Sequence, residues 1–483
     1  MEVATSEEVA PPKRPSSFVA RCMRLSTWDG IFAIQYTTLT GGAMLTAFLL
    51  TLGASELQIG LVAAFPLLFG MVQPLGAEII RRNGGWRKPV CLGGVLVDDL
   101  IWIPVIIVTL LYSPPAAVAL IVVLLGVGQL ANSFVGVAWT SWISDLIPPR
   151  LRGRYFGTRN FICHSLGAGT AVIAGVFIER SEADPIHPFL VIIGLGVVFR
   201  LVSLAFLSRQ PEPTPAKSAD GGFMRQIAQP LSHHGFRRFI LFGMIWGFAV
   251  HISAPFFTVF MMRSADVSVA TVMAFASLGT IANLVGQKFW GPMCDRYGDR
   301  QMLLLAGIVI TFQPFFWLFA SDVGFGFYLM MILSMTGGFS WGGYLLAVNN
   351  LMMRLAPETG KTSYFAVQAA LGGLFGAIGP FVGGLMADHL MFAGSFIPGW
   401  MFADLKTLFL FSFILRFSAW GVLLTVPDPV ARPRLRAALL IRDAVQTFNP
   451  QQGFSPLLNV FSVVPRPGRS RKRRERSMGG DAD

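Results

Sequence analysis

Twelve apolar runs, each long enough to cross a bilayer, follow one another at about 26–51, 57–80, 88–112, 115–143, 154–178, 187–207, 237–262, 267–293, 300–320, 322–353, 362–388 and 405–426. A hydrocarbon core roughly 30 Å thick needs about 20 apolar residues of helix, and inside it each backbone N–H and C=O must find its partner within the protein. A chain patterned in this way is expected to fold as helices packed side by side in lipid. Its composition agrees: 53% of the 483 residues are hydrophobic and 13% are charged. A soluble surface would need about twice that share of charge.

The basic residues set the orientation. The first 25 residues are polar and basic (Lys13, Arg14, Arg21, Arg24) and hold no short apolar core followed by a small-residue cleavage site. They are expected to stay in the cytoplasm. With both termini inside, 33 of the 38 Lys and Arg fall on the cytoplasmic side, while Arg180, Arg263 and Lys406 lie outside and Arg200 and Arg416 lie within spans. A span missed early in the chain would destroy this positive-inside bias. The net charge of +12 is dispersed among short loops, so it reads as topology and not as a nucleic-acid surface. The four cysteines (Cys22, Cys91, Cys163, Cys294) show no paired spacing, and neither a disulfide, a metal nor a cofactor is expected.

The expected organisation is a cytoplasmic segment 1–25, a six-helix bundle 26–207, a cytoplasmic linker 208–236 rich in Pro and Gly, a second six-helix bundle 237–426 and a basic tail 427–483. The two bundles repeat each other. Gly76, Arg81 and Trp102 recur as Gly291, Arg296 and Trp317 at a spacing of 215 residues. Pro148, Tyr155, Phe156, Gly167 and Gly175 recur as Pro357, Tyr364, Phe365, Gly376 and Gly384 at 209, and Arg200, Pro211 and Pro213 recur as Arg416, Pro427 and Pro429 at 216. Matched Trp, Arg and Pro at shared spacings point to duplication.

The inner loop Gly291 to Arg300, which contains Asp295, Arg296 and Gly298, resembles the glycine, acid and basic loop signature of the major facilitator superfamily. The first-half loop keeps Gly76, Arg81 and Arg87 but has Ile80 where the acid belongs. Gly372, Gly376, Gly379, Pro380, Gly383 and Gly384 resemble the family's glycine-proline motif, moved from the fifth span to the eleventh. The resemblance covers about residues 20–430. It implies an all-α membrane protein of twelve helices in two bundles, a monomer in the cell (inner) membrane that moves a small organic solute by alternating access, with or without protons. A facilitator-like protein that no longer transports and serves as a sensor or assembly partner is the alternative. An enzyme is not expected, because no nucleophile and base, metal cluster or paired carboxylates stand out, and a P-loop is missing.

Charges inside the bilayer need a partner or a task. Asp98 and Asp99 lie about 10 residues into the third span, and Arg200 lies at comparable depth in the sixth. An ion pair between Arg200 and Asp98 is expected, with a proton-carrier role for Asp98 or Asp99 as the competing reading. In the second half Gln313 takes the Asp98 position and is expected to hydrogen-bond Arg416. At the inner ends, Arg81 is expected to pair with Asp145, and Arg296 and Arg354 to surround Asp295, with Arg152 close by, so that both clusters latch the helices in the outward-open state.

By the resemblance, spans one, four, seven and ten line the central cavity. The polar and aromatic residues at that depth are Gln35, Tyr36, Gln129, Asn132, Trp246, His251, Trp341 and Tyr344, a set that suits a neutral or weakly charged molecule. His251, His164 and Asp29 are further candidates for proton coupling. The basic run Arg469 to Arg476 is expected to lie near anionic lipid.

The topology has a direct check. Cysteines introduced at Ser55, Ser113 and Ser321 should react with an impermeant thiol reagent applied from outside, and one at Ser218 should not. Outside labelling at Ser218 would break the twelve-span arrangement.

Overall fold

The computed structural model describes residues 16–82, 84–181, 184–213, 230–357, 361–393 and 405–427. Most of the expected linker and tail lie outside these residues. Residues 21–433 belong to one compact unit. The first half comprises α1 (Ser16–Thr40), α2 (Gly42–Thr51), α3 (Glu56–Gly70), α4 (Gln73–Arg82), α5 (Lys88–Leu100), α6 (Trp102–Leu111), α7 (Pro114–Leu146), α8 (Pro149–Glu179) and α9 (His187–Ser208). The second comprises α10 (His234–His251), α11 (Phe256–Val259) with a π-helical turn Phe260–Ser264, α12 (Val269–Tyr297), α13 (Asp299–Trp317), α14 (Gly324–Leu355), α15 (Lys361–Ala393) and α16 (Leu405–Thr425).

Among the described residues, ten helices are long and apolar enough to cross a membrane, with α5 and α6 joined as one and α10 to Ser264 as another. An eleventh is α3 with α4, which meet at 46°. The first expected span is made of α1 and α2 and is outside that count. It is interrupted at Gly41, which is extended, and Gly42, whose φ of +54° lies in the left-handed region that a side chain disfavours. A second glycine of this kind, Gly298 at φ +95°, turns the chain between α12 and α13 and accounts for the glycine of the loop signature.

The seventh span breaks for a different reason. Pro255 has no N–H to return to the His251 carbonyl, and the Ser253 N–H bonds the Val250 carbonyl at 3.4 Å instead of continuing the ladder to Ala249. In lipid no water can take the released carbonyls. Ser412 Oγ of α16 takes the released Ala249 carbonyl at 2.6 Å, and Arg416 Nη2 adds a 3.4 Å bond to the Val250 carbonyl, which already accepts from the Ala254 N–H.

The halves meet through α3 against α15, α8 against α12, and α2 against α11 and α12. Small residues line these seams, so backbones approach closely enough for dispersion to hold helices together where lipid supplies no hydrophobic drive. Gly175 on α8 faces Ala270 and Met273, and its repeat counterpart Gly384 on α15 faces Glu56 and Leu57. Towards mid-depth, Ser277 Oγ donates to the Ala168 carbonyl at 2.9 Å, and Leu67 and Met71 lie against Gly373.

A side chain at Gly60 would collide with the Pro380 carbonyl across the α3–α15 seam, whereas at Gly70 nothing lies within 4 Å. Gly60→Val should therefore destabilise the protein by about 1–3 kcal/mol relative to Gly70→Val, read as a lower melting temperature. Equal melting temperatures would rule out this packing of the seam.

Candidate functional site

A cavity of about 340 Å³ lies within the first half. Gln129 and Asn132 of α7, both expected from the sequence, form part of its wall, with Gln73 from α4. Three charged residues join them: Asp29, Arg159 and Arg200. The expectation of an uncharged cavity is corrected by that wall. Arg159 escaped the sequence reading because it was counted with the inner loop, whereas α8 already begins at Pro149, placing Arg159 about 15 Å along the helix.

Each charge is held differently. The Arg159 guanidinium covers Gly30, where any side chain would collide with it. It donates from Nε to the Ser26 carbonyl at 2.9 Å, lies over the Trp139 ring at 4.9 Å and comes within 3.8 Å of Asp29. Asp29 also accepts from Ser203 Oγ at 2.7 Å. Arg200 has no such neighbours. Its guanidinium lies over the Tyr36 ring at 5.2 Å, Nε is buried without a partner, and the side chain makes no hydrogen bond among the described residues.

The expected Arg200–Asp98 ion pair is therefore not formed. Tyr36 stands between the two, donating its hydroxyl to Asp98 Oδ2 at 3.1 Å and accepting from Trp102 Nε1 at 2.9 Å. A ring with its face towards the cation and its hydroxyl towards the anion separates the charges while serving both. Asp99 is 1% exposed, and neither of its carboxyl oxygens meets a donor. Gln35 is buried with Oε1 unpartnered and does not line the cavity.

The second half also departs from expectation. The expected bond between Gln313 and Arg416 is not formed: Gln313 Nε2 donates to the Leu333 carbonyl at 3.0 Å. Arg416 instead donates to the Ile310 carbonyl at 2.7 Å, the Val250 carbonyl and Ser253 Oγ at 3.0 Å. Trp246 stacks on Tyr344 with centroids 5.2 Å apart, and Trp341 meets the edge of Tyr344 at the same distance. These rings pack on one another and do not line the cavity of the first half. His251 Nδ1 is engaged with the Gly247 carbonyl at 2.8 Å.

At the basic-rich inner ends, Asp145 pairs with Arg87 at 2.6 Å, and the Arg81 side chain lies outside the described residues. Arg354 pairs with Asp299 at 2.6 Å, and Asn350 donates to the same carboxylate at 3.0 Å. Asp295 and Arg296 are exposed, Arg296 lying over the Tyr297 ring at 5.6 Å, so they do not form the expected cluster. Arg152 Nε donates to the Ile147 carbonyl at 3.0 Å. Both ion pairs join neighbouring spans inside one half, base then acid in the first and acid then base in the second. They do not latch one half to the other.

Charges do cross between halves at the opposite, outer ends. Arg263 binds the Glu56 carboxylate and, at 2.7 Å, the Ala54 carbonyl. Asp388 of α15 accepts from the Glu56 and Leu57 backbone N–H groups at 3.1 and 3.3 Å. A carboxylate of the second half thus caps the positive end of a first-half helix. The sequence reading missed this cluster, since Arg263 was only an outside charge in the topology count.

This architecture is that of a multi-pass α-helical membrane protein of transporter fold. Residues 239–465 match the family model for the Major Facilitator Superfamily. The fold matches solved structures of the nucleoside transporter NupG (TM-score 0.62, 14% identity, 84% of this chain and 98% of that one) and a D-xylose-proton symporter (TM-score 0.64, 15% identity, 85% and 99%). The sequence is similar to multidrug resistance protein MdtG of Salmonella choleraesuis (strain SC-B67), 29% identical over 114 residues, which are 23% of this chain and 27% of the relative. Quinolone resistance protein NorA of Staphylococcus aureus (strain Mu50 / ATCC 700699) is 29% identical over 129 residues, 26% of this chain and 31% of the relative. The chain thus spans less than a third of the length of these curated relatives. The second half of the chain thus resembles the Major Facilitator Superfamily in sequence, and the described residues share the fold of solved transporters.

The Asp299 carboxylate is 3% exposed, so its partner matters. Arg354→Gln leaves a buried charge with only Asn350 to answer it and should cost on the order of 3 kcal/mol, lowering the melting temperature, with Arg354→Lys recovering part. An unchanged melting temperature would show that the pair contributes nothing.

Proposed function

We propose that this chain is a secondary active transporter of a small organic solute that works by alternating access in the cell (inner) membrane. One observation carries the reading: the halves are joined along seams that run from their outer ends to mid-depth, closed by Arg263, Glu56 and Asp388, while a polar cavity lies in the first half. These contacts support reading the structure as an inward-open state, in which the outer charges hold the halves together. Rocking about the glycine seams would exchange the outer contacts for inner ones. In this reading Gln129 and Asn132 face the solute together with Asp29 and Arg159, whereas Trp246, Trp341 and Tyr344 support the second half. Coupling to protons runs through the first-half carboxyls, with Asp99, which has no donor in this state, as the group to test.

Purified protein in proteoliposomes should accumulate a member of a panel of labelled sugars, nucleosides and organic acids under an imposed proton gradient. A protonophore should abolish accumulation and leave exchange intact. Arg263→Gln should shift the population outward-open, widening the distance between spin labels at Ser55 and His389. No accumulation of any panel member, with the label distance unchanged, would favour a sensor or assembly role.

A further inference from the structure

The two intramembrane arginines are repeat counterparts 216 residues apart, yet they are treated in opposite ways. Arg416, 2% exposed, is enclosed by three acceptors. Arg200, 8% exposed, has none, and it lines the cavity. A guanidinium withdrawn from water without an acceptor is a costly arrangement, and it persists where a ligand supplies what the protein withholds.

The nearby carboxylates do not fill the role. Asp98 accepts from Tyr36, the ring of which lies between it and Arg200, and the Asp99 oxygens meet no hydrogen-bond donor among the described residues. Asp29 is already held by Ser203 and faces Arg159. Asp98, Asp99 and Asp29 all lie in the electrostatic neighbourhood of Arg200, yet none of them hydrogen-bonds its guanidinium, which is left without an acceptor on the cavity wall. Gln73, Gln129 and Asn132 offer amide donors and acceptors elsewhere on the same wall.

We propose that the solute carries a carboxylate, received by Arg200 and steadied by Arg159, with the amides of Gln73, Gln129 and Asn132 contacting the remainder of the molecule. The planar guanidinium presents paired donors that match a carboxylate's two oxygens. The proposal rests on the transport reading only in calling this ligand a solute. It also explains why the two repeat halves differ: the second-half arginine repairs the break in span seven, and the first-half arginine is left free for the ligand.

The test compares acids with their uncharged amides on purified full-length protein: benzoate against benzamide, succinate against succinamide, glucuronate against glucuronamide. At least one acid should raise the melting temperature while its amide does not. Arg200→Gln should weaken that acid by about tenfold or more, and Arg200→Lys should weaken it less. Because Arg200 has no ion partner, Arg200→Gln should fold and melt near the parent without ligand. The proposal is overturned if no acid stabilises, if amides stabilise equally, or if Arg200→Gln binds the acid as tightly as the parent. It is also overturned if Arg200→Gln unfolds and is rescued by Asp98→Asn or Asp99→Asn, since Arg200 would then be a counter-ion. Uptake into proteoliposomes separates the two readings. An acid that binds but is never carried defeats transport and leaves this site standing, while carriage of neutral solutes without acid binding does the reverse.

Discussion

Lipid supplies no hydrogen bonds, and most of this structure follows from that deficit. An unbroken helix satisfies its own backbone, so the design question arises only where helices break or carry charge. The break at Ile252 to Pro255 releases the Ala249 carbonyl, which Ser412 takes in place of water, and Arg416 braces the break through the Val250 carbonyl and Ser253 Oγ. Arg416 thereby acquires acceptors and the broken span acquires a brace, so two costs of burial cancel within one contact.

Charge is handled by the same accounting of donors and acceptors. Arg159 has a carbonyl, a ring and a carboxylate; Asp98 has a phenol. Arg87 with Asp145, and Arg354 with Asp299, tie adjacent spans at the inner ends, and Arg263, Glu56 and Asp388 tie the halves at the outer ends. Against this background Arg200, which lies over the Tyr36 ring and on the cavity wall, differs in having no hydrogen-bond acceptor.

The seams make motion affordable in the physical sense that few strong bonds cross them. Glycine and alanine contacts allow close approach, and dispersion is lost gradually as helices tilt. The directional bonds between halves are concentrated at the outer ends, where one cluster can form or break as a unit.

The sequence by itself determined the helical class and most of the apolar spans, because hydropathy is a property of the chain read linearly. It also identified Gln129 and Asn132 on the cavity wall, since residues at mid-depth on a lining span are few. Tertiary structure decided the pairings. Whether Asp295 or Asp299 meets Arg354, and whether Arg87 reaches Asp145, depends on a few residues of helix register at a turn, to which composition is blind. Tyr36 came between Arg200 and Asp98 because side-chain direction around a helix axis, unlike depth along it, is fixed only when three helices pack. The outer cluster was invisible for the same reason: Glu56, Arg263 and Asp388 are separated by more than 100 residues each and become neighbours only through the α3–α15 seam and the turn that ends span seven.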